Sequence, residues 1–344
     1  MEQIRIRRAE LSDIENIIVF IRDYYHIKNH VFTRKRELFY NWHVNGNDLW
    51  IVIAEGCESK KIYGMLAYTL YTIEDDIDVA FTLFQTIKSG DPTLGIRIIK
   101  FIQELYPGGC ICGCGILPHT TGLYAYFGFQ TGKLKHYYRL SDRTEYRIAQ
   151  VGSKRISPVK REGHAFRLFD SMEMVRKYIQ PDAFDWSVPR KNFDYVERRY
   201  FNNLGYRYQV YGIFDAESYC VGMFTGRQIC QNGAKCFKIV DYIGNDEELR
   251  YCGGAFSRLV EDNDYEFAHF YEIGIPDEIM MDAGFVLNDE KDNIIPQHFE
   301  PFVQENIDIY YFTSQPKKFH GYLSDGGRER PNYIDGSGQN IIEL

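Results

Sequence analysis

The hydrophobic residues of the chain follow two different periods, and the alternation between them predicts an α/β protein. Residues 4–7 alternate apolar and polar side chains, as expected of a strand, and Ile14, Ile17, Ile18 and Ile21 then lie on one face of a helix. The elements that follow are predicted as a helix over 34–42, strands over 49–54, 63–72 and 77–87, a helix over 94–105, a strand over 110–116, a short helix over 123–127 and a strand over 136–140. Such an order predicts a mixed sheet with flanking helices.

The same order of elements is repeated from residue 164 onward. The second set is predicted as a strand over 165–169, helices over 172–179 and 192–202, strands over 207–214, 220–229 and 236–243, a helix over 247–260, a strand over 266–271, a short helix over 276–283 and a strand over 307–313. Two landmarks keep nearly the same spacing, because Gly64 and Gly222 lie 158 residues apart and Gly128 and Gly284 lie 156 apart. We therefore predict a structural duplication.

The duplication divides the chain into two domains, which its length of 344 residues and its hydrophobic content of 44% can supply with cores. We predict an N-terminal domain at 1–140 and a C-terminal domain at 164–334. Residues 141–163 are polar, contain Pro158 and are predicted to be a linker. Residues 335–344 are predicted to be a flexible tail.

The charge of the chain argues against a nucleic-acid partner. There are 40 Lys and Arg residues against 48 Asp and Glu residues, which gives a net charge of -8. The N-terminus lacks the apolar stretch of a secretory signal, and no apolar run reaches membrane-spanning length. We therefore expect a cytoplasmic protein with no membrane partner, either a monomer or a homodimer.

Three cysteines occupy every second position of one predicted strand, which would place their side chains on one face. Cys110, Cys112 and Cys114 could form a metal or redox cluster. Zinc sites, however, favour a two-residue gap and a second pair of ligands, and the sequence has neither. We expect buried, reduced thiols and no metal.

The order of elements resembles the fold of the GNAT acyltransferases, and the segment 121–129 carries the resemblance most clearly. In these enzymes a tyrosine before an aromatic-Gly-Phe turn commonly protonates the departing CoA thiolate, and Tyr124 holds the matching place. Tyr126 is a rival for this role. The alternative is that Tyr124 is a packing aromatic on a short helix.

The resemblance also implies where acyl-CoA, the expected cosubstrate, would bind. The family holds the CoA pyrophosphate at the N-terminus of its central helix, where free N–H groups and the helix dipole favour anions. Residues 89–95 form that loop here, but Asp91 departs from the family pattern. The acidic residues Asp246, Glu247 and Glu248 at the predicted second copy of this helix start would repel a pyrophosphate, so we assign CoA to the first half. The residues expected to contact CoA are Leu83, Phe84, Gln85, Pro92, Thr93, Leu94 and Gly95.

Segments 239–244, 295–302 and 324–332 resemble tandem GNAT enzymes of bacterial surface-polysaccharide pathways, which N-acylate TDP-linked amino sugars such as 3-amino-3,6-dideoxyhexoses. The resemblance implies a nucleotide-linked amino sugar as the acceptor. We expect Asp241 to act as the base, because it is a carboxylate in the otherwise apolar strand over 239–243, where desolvation could raise its pKa. Glu300, His298 and Asp325 are rival bases or ligands of the sugar hydroxyls. A carboxylate bonded to a nearby backbone N–H is the alternative for Asp241. The residues expected to bind the acceptor are His298, Phe299, Asp325, Arg328, Arg330 and Asn332.

Two other functions stay open at this point. A Fem-type aminoacyl-tRNA-dependent transferase also carries two GNAT-like copies, but it usually needs a coiled-coil arm or a strongly basic face, and the sequence indicates neither. A non-catalytic nucleotide-sugar sensor, in which both CoA loops have decayed, is compatible with Asp91 in the first loop.

Overall fold

The computed structural model describes residues 2–27, 30–72, 77–289, 292–327 and 329–331. The predicted tail and two of the expected acceptor-binding residues, Arg328 and Asn332, lie outside this part of the chain. None of the helices it contains has the length and apolar character needed to cross a bilayer.

The first half of the chain forms four helices and ten strands. Their bounds are β1 (Ile4–Arg8), α1 (Ile14–Tyr24), α2 (Arg36–His43), β2 (Val44–Asn45), β3 (Asp48–Leu49), β4 (Ile51–Gly56), β5 (Ile62–Leu70), β6 (Val79–Thr86), α3 (Leu94–Leu105), β7 (Ile111–Ile116), α4 (Thr121–Tyr126), β8 (Gln130–Lys133), β9 (Lys135–Leu140) and β10 (Gln150–Val151). The isoleucines that predict α1 are buried, as an amphipathic helix on a sheet requires.

The second half repeats this order with variations. Its elements are β11 (Ala165–Phe169), α5 (Met172–Tyr178), α6 (Phe193–Val196), β12 (Gln209–Phe214), β13 (Cys220–Gln231), β14 (Ala234–Gly244), α7 (Gly253–Asp262), β15 (Tyr265–Ile273), α8 (Asp277–Asp282), β16 (Val286–Leu287), β17 (Asn293–Ile294), β18 (His298–Phe299), β19 (Phe302–Val303), β20 (Tyr310–Thr313) and β21 (Gly321–Tyr322). A π-helical turn, Glu197–Phe201, continues α6.

One helix boundary in the second half was predicted wrongly. The helix expected from residue 247 is a separate 3₁₀ helix, Asp246–Tyr251, and α7 begins only at Gly253. The side chain of Asn245 accepts the N–H of Glu247 and so caps the 3₁₀ helix as an element of its own. The acidic residues at 246–248 therefore do not stand at the start of α7.

The two sheets exchange a strand. The first has the order β1-β4-β5-β6-β7-β20-β8, and the second has the order β11-β12-β13-β14-β15-β9-β16, with β21 added beside β15. Strand β20 of the second half thus lies between β7 and β8, and β9 of the first half lies between β15 and β16. Each sheet is completed by the other half. The division of the chain at the segment 141–163 stays a prediction, and this segment contributes β10, which pairs with β17.

A hydrophobic cluster joins the two halves. It contains Cys110, Cys112 and Cys114 of β7 together with Val240 of β14 and Tyr311 of β20. The three cysteines therefore share one face and are buried, and they are free thiols. Burial raises the pKa of the Cys112 and Cys114 thiols well above their usual range, which keeps them neutral. Among the residues described, no three His, Cys, Asp or Glu side chains converge on a metal-sized site.

The two landmark glycines confirm the repeat at the level of the backbone. Gly128 follows α4 with φ +75°, and Gly284 follows α8 with φ +84°. The next N–H closes the same helix end in both copies, because Phe129 N donates to Tyr124 O and Phe285 N donates to Met280 O. Both glycines thus end equivalent helices in the left-handed conformation.

Candidate active site

The two central strands of the first sheet diverge and leave a cleft. Strands β6 and β7 are parallel and pair only where Val79 lies opposite Ile111 and Ala80 opposite Cys112. Beyond this point a β-bulge at Thr82 interrupts the pairing of β6 with β5. Bulges bend strands and are frequent beside active sites. The divergence leaves backbone groups of β6 facing the cleft without a strand partner.

The cleft is lined mainly by apolar side chains. Phe81, Leu83 and Phe84 come from β6, Tyr124 comes from α4, and residues 25–27 come from the segment after α1. The space in the cleft that the centre of a water-sized sphere can enter is about 120 Å³. A narrow, largely apolar ligand arm fits such walls.

Tyr124 is a nearly buried residue at this cleft, with a relative exposure of 3%. Its ring stacks on Phe312 of β20 with a centroid distance of 3.8 Å and an interplanar angle of 5°. Burial raises the pKa of Tyr124 above its ordinary value, so the phenol stays protonated. The rival Tyr126 is 66% exposed and is not among the lining residues.

The second half has no tyrosine at the equivalent helix position. The matching hydrogen bonds at the ends of α4 and α8 align Tyr124 with Met280, and Met280 packs in the core of the second sheet. A thioether has no proton to give. A proton donor at this place in the fold is therefore a feature of the first half.

The start of α3 lies beside the cleft and is compatible with an anion. A side chain on Gly95 would lie 3.6 Å from the Phe84 ring, so the helix start and the cleft are adjacent. Asp91 turns toward its own loop, because its carboxylate accepts from Thr93 N, at 2.8 Å, and from Arg97 Nη1, at 2.7 Å. Its hydrogen bonds with Thr93 and Arg97 lower the pKa of Asp91. Arg97 offsets the negative charge that the sequence placed near an expected pyrophosphate.

The other residues predicted along this path have structural contacts. Gln85 donates its side-chain amide to Thr86 O, at 2.8 Å. Pro92 lies in the turn before α3, and Leu94 begins that helix with its side chain buried in the core. These residues shape the backbone of the loop, whereas Leu83 and Phe84 line the cleft.

The corresponding helix start in the second half is covered by the chain itself. A side chain on Gly254, in the first turn of α7, would lie 3.0 Å from the carboxylate of Glu162. A side chain on Gly253 would lie 3.5 Å from the main-chain oxygen of Arg161. The segment before β11 therefore covers the position where a second pyrophosphate would have to bind.

A C-terminal segment, residues 321–327 with 329 and 330, enters the divergence of both sheets. In the second sheet β21 pairs with β15, and Ser324 N donates to Val240 O, at 3.2 Å. In the first sheet Cys114 N donates to Asp325 O, at 2.7 Å, and Arg330 Nη1 donates to Thr82 O, at 3.2 Å. The inner end of the first cleft is thus filled by this segment, and Arg330 lines the part that stays open.

Two of the predicted polar residues belong to a buried ion cluster beneath this segment. Lys191 Nζ donates to Asp241 Oδ1, at 2.5 Å, and lies 3.2 Å from Asp325 Oδ1. Asp241 also accepts from Tyr242 N, at 2.9 Å, and from the Tyr200 hydroxyl. Burial raises the pKa of Asp241, and Asp325 adds to this, although Lys191 opposes it. Neither carboxylate lines the cleft.

The remaining predicted acceptor residues lie in the β18–β19 hairpin. Glu300 accepts from the Tyr206 hydroxyl, at 2.5 Å, and from Arg227 Nη1, at 3.4 Å. Phe299 is buried, and His298 Nδ1 lies 2.8 Å from Pro301 O. The structure does not bring this hairpin to the cleft, where Arg330 is the one expected acceptor residue among those described.

Comparisons with known proteins identify the fold. No protein-family model matches the sequence, and no curated protein is significantly similar to it. A GCN5-related N-acetyltransferase from Anabaena variabilis ATCC 29413 superimposes with a TM-score of 0.54 at 10% identity, over 90% of this chain and 72% of the other. A conserved protein from Enterococcus faecalis V583, described as a probable N-acyltransferase, gives the same four values. The chain therefore has the GNAT fold in two tandem copies.

Proposed function

We propose that the chain is an acyl-CoA-dependent N-acyltransferase with its donor site in the first half. The observation that carries this proposal is an asymmetry between the copies. The first half combines an open divergence of β6 and β7, an accessible start of α3 and Tyr124. In the second half β21, Glu162 and Met280 occupy the equivalent places.

The proposed chemistry follows from the groups around the cleft. The acyl-CoA cosubstrate supplies a thioester whose carbonyl carbon an amine can attack. Backbone N–H groups near Leu83 and Phe84 would polarise that carbonyl, as preorganised donors do. Tyr124 would pass its phenolic proton to the leaving sulfur. Its raised pKa is compatible with this, because burial disfavours a thiolate in the same way as it disfavours a phenolate.

We propose a nucleotide-linked amino sugar, with TDP as the expected nucleotide, as the acceptor. The segments 239–244, 295–302 and 324–332 support this through their resemblance to tandem GNAT enzymes that act on such sugars. Asp241 and Glu300 stay the proposed bases, although neither lines the cleft in this structure and each is held by hydrogen bonds, Asp241 to Lys191 and Glu300 to Tyr206. Asp241 also accepts a hydrogen bond from the backbone N–H of Tyr242, which favours the alternative that this carboxylate has a structural role. Arg330, at the cleft, is the proposed contact for the acceptor.

Tyr124→Phe tests the donor site, because it removes the hydroxyl and keeps the ring that stacks on Phe312. Loss of a general acid lowers kcat by about 100-fold or more. KM for acyl-CoA should change little, because the phenyl ring still lines the cleft. Tyr126→Phe is the matched control, since its exposed hydroxyl is on the same helix. Equal turnover in the two variants would remove Tyr124 from the mechanism.

The acceptor is tested by mixing the protein with acetyl-CoA or a hydroxyacyl-CoA and a panel of TDP- and UDP-linked amino sugars. Release of free thiol is followed with a chromogenic disulfide. Thiol release that depends on one amino sugar supports the proposal. Tight binding of a nucleotide sugar without thiol release from any pair would favour the sensor function instead.

A further inference from the structure

A second, polar pocket lies beside the cleft, between the two halves of the chain. Its lining includes Trp42 of α2, Thr82 of β6, and Tyr195 and Arg199 of the α6 region. Thr82 lines both this pocket and the cleft, and the C-terminal segment contributes Gly326 here and Gly327 there. The space in the pocket that the centre of a water-sized sphere can enter is about 20 Å³, so the pocket has room for one small group. We call it the polar pocket.

Four polar atoms of side chains that line the polar pocket are buried and have no hydrogen-bond partner among the residues described. They are Trp42 Nε1, Thr82 Oγ1, Tyr195 OH and Arg199 Nη1. Their side chains are more than nine-tenths buried, with exposures of 8%, 8%, 1% and 7% in that order. A buried polar group without a partner costs about 1–3 kcal/mol. Four such groups at one pocket indicate a ligand, and since all four can donate a hydrogen bond, the ligand must be rich in acceptors.

The charge of the residues that line the polar pocket also favours an anionic ligand. Arg198 and Arg199 line it, and its lining includes no Asp or Glu among the residues described. Arg199 Nη2 donates to Glu329 O, at 3.1 Å, and the Arg199 guanidinium lies 4.3 Å from the centre of the Trp42 ring. The Glu329 carboxylate is paired with Arg227, at 2.6 Å, and with Lys238, at 2.6 Å. Among the residues described, the Arg199 guanidinium therefore has no carboxylate partner at the pocket.

Two other polar residues of the lining, Arg198 and Tyr71, already have partners. Arg198 Nη2 donates to Leu70 O, at 2.8 Å, and its guanidinium lies 4.3 Å from the Trp50 ring. The Tyr71 hydroxyl donates to Asp325 Oδ1, at 2.8 Å. The demand for acceptors thus comes from the four unpartnered atoms, one of which belongs to the charged guanidinium of Arg199.

We propose that the polar pocket binds one oxyanion, a carboxylate or a phosphoryl group. Arg199 would supply the charge, while Trp42, Thr82 and Tyr195 would donate hydrogen bonds. If the proposed function holds, this anion belongs to the acceptor, because the pocket borders the donor cleft at Thr82 and at the Gly326–Gly327 backbone. The acceptor class would then be an amine that carries a carboxylate or a phosphate.

Binding is measured without acyl-CoA, from the urea midpoint of the full chain in rising sodium phosphate or sodium acetate at constant ionic strength. A ligand that binds only the folded state raises the midpoint. A rise with phosphate alone assigns a phosphoryl group, and a rise with acetate alone assigns a carboxylate. Chloride is the reference. No rise beyond chloride with either anion overturns the proposal and leaves water as the occupant.

Variants locate the effect in the polar pocket. Tyr195→Phe and Thr82→Val each remove one unpartnered hydroxyl and should raise the anion Kd about tenfold, the value of one hydrogen bond to a charged group. Tyr208→Phe is the matched control, because its hydroxyl is also buried and unpartnered but does not line the pocket. An equal loss in the control would overturn the assignment. Thr82→Val serves as the second test if Tyr195→Phe does not fold.

The two proposals fail separately. Anion binding with no thiol release from any acceptor would contradict the acyltransferase function and leave the polar pocket standing. Thiol release with amines that carry no carboxylate or phosphate, together with no anion binding, would contradict the proposed anion site and leave the acyltransferase function standing.

Discussion

The contacts of the buried ion cluster predict that Asp241 stabilises the fold, and substitutions in the cluster test this against a role in catalysis. Lys191, Asp241 and Asp325 have exposures of 5%, 1% and 0%, and one ammonium serves two carboxylates. Burial alone would lower the pKa of Lys191, but the carboxylates of Asp241 and Asp325 raise it above its ordinary value. The lysine therefore stays charged, and replacing it leaves two buried carboxylates without that cation.

The magnitudes of two substitutions follow from these contacts. Removing one partner of a buried ion pair costs about 3–5 kcal/mol, and we expect this for Lys191→Met. Asp241→Asn keeps the contact of Lys191 with Asp325, so the loss is that of a hydrogen bond to a charged group, about 1.5–3 kcal/mol. Lys191→Met should therefore destabilise the chain more than Asp241→Asn.

The free energy of unfolding is measured in urea from tryptophan fluorescence, and turnover is measured on the same preparations. The folded pKa of Asp241 is raised, so the stability linked to its protonation is present below its unfolded value and is lost as the pH rises. Without Lys191 this dependence should be steeper, and acidification should restore part of the lost stability. If Asp241→Asn unfolds like the wild type but loses turnover about 100-fold, the structural interpretation is refuted and Asp241 is the base.

Two further predictions concern the divergence of the sheets. Burial raises the pKa of Glu272 from its ordinary value of 4.5 to about 8, so its stabilising contribution is complete below pH 4.5 and is lost as the pH rises through 8. In the wild type, the free energy of unfolding measured in urea should therefore fall by up to about 5 kcal/mol between pH 4.5 and 8. Glu272→Gln should abolish this fall. If the variant keeps the pH profile of the wild type, the raised pKa of Glu272 is contradicted. Gly327→Ala would bring a side chain to 2.2 Å from Thr82 O and should lower the free energy of unfolding by about 1–3 kcal/mol. Gly122→Ala is the control, because the space around Gly122 is open, and it should not lower the free energy of unfolding in the same measurement. Equal losses in the two variants would contradict the close packing of Gly327 against Thr82.

Hydrophobic periodicity was sufficient to predict most elements, and it could not predict the exchange of strands. A strand pattern fixes which side chains face the core, but it does not specify the neighbouring strand. Strands β9 and β20 were both predicted near their observed bounds, yet each pairs in the sheet of the other half. The partner is set by packing over long sequence separations, as when the Phe312 ring of β20 stacks on Tyr124.

For the candidate site as well, features with local sequence evidence could be predicted and features formed by long-range packing could not. The place of Tyr124 on a short helix before a Gly-Phe turn could be predicted because the evidence for it is local, and its role as a proton donor stays a prediction. The polar pocket could not be predicted, because Trp42 and Arg199 are separated by more than a hundred residues and meet only through packing of the two halves. An apolar strand that contains one carboxylate suggested a base at Asp241, but Lys191, its partner, lies 50 residues earlier in the chain.

The asymmetry between the two copies arises from how the C-terminal segment enters each sheet. In the second sheet it enters as a strand, since β21 pairs with β15 and takes backbone positions that a ligand arm would need. In the first sheet it enters as a loop whose glycines approach the backbone closely, and its main-chain contact with β7 is made at Cys114. A loop occupies only the inner end of the divergence, so the outer end remains open beside Tyr124. The same segment therefore fills the divergence of the second sheet, and in the first sheet it lies between the cleft and the polar pocket.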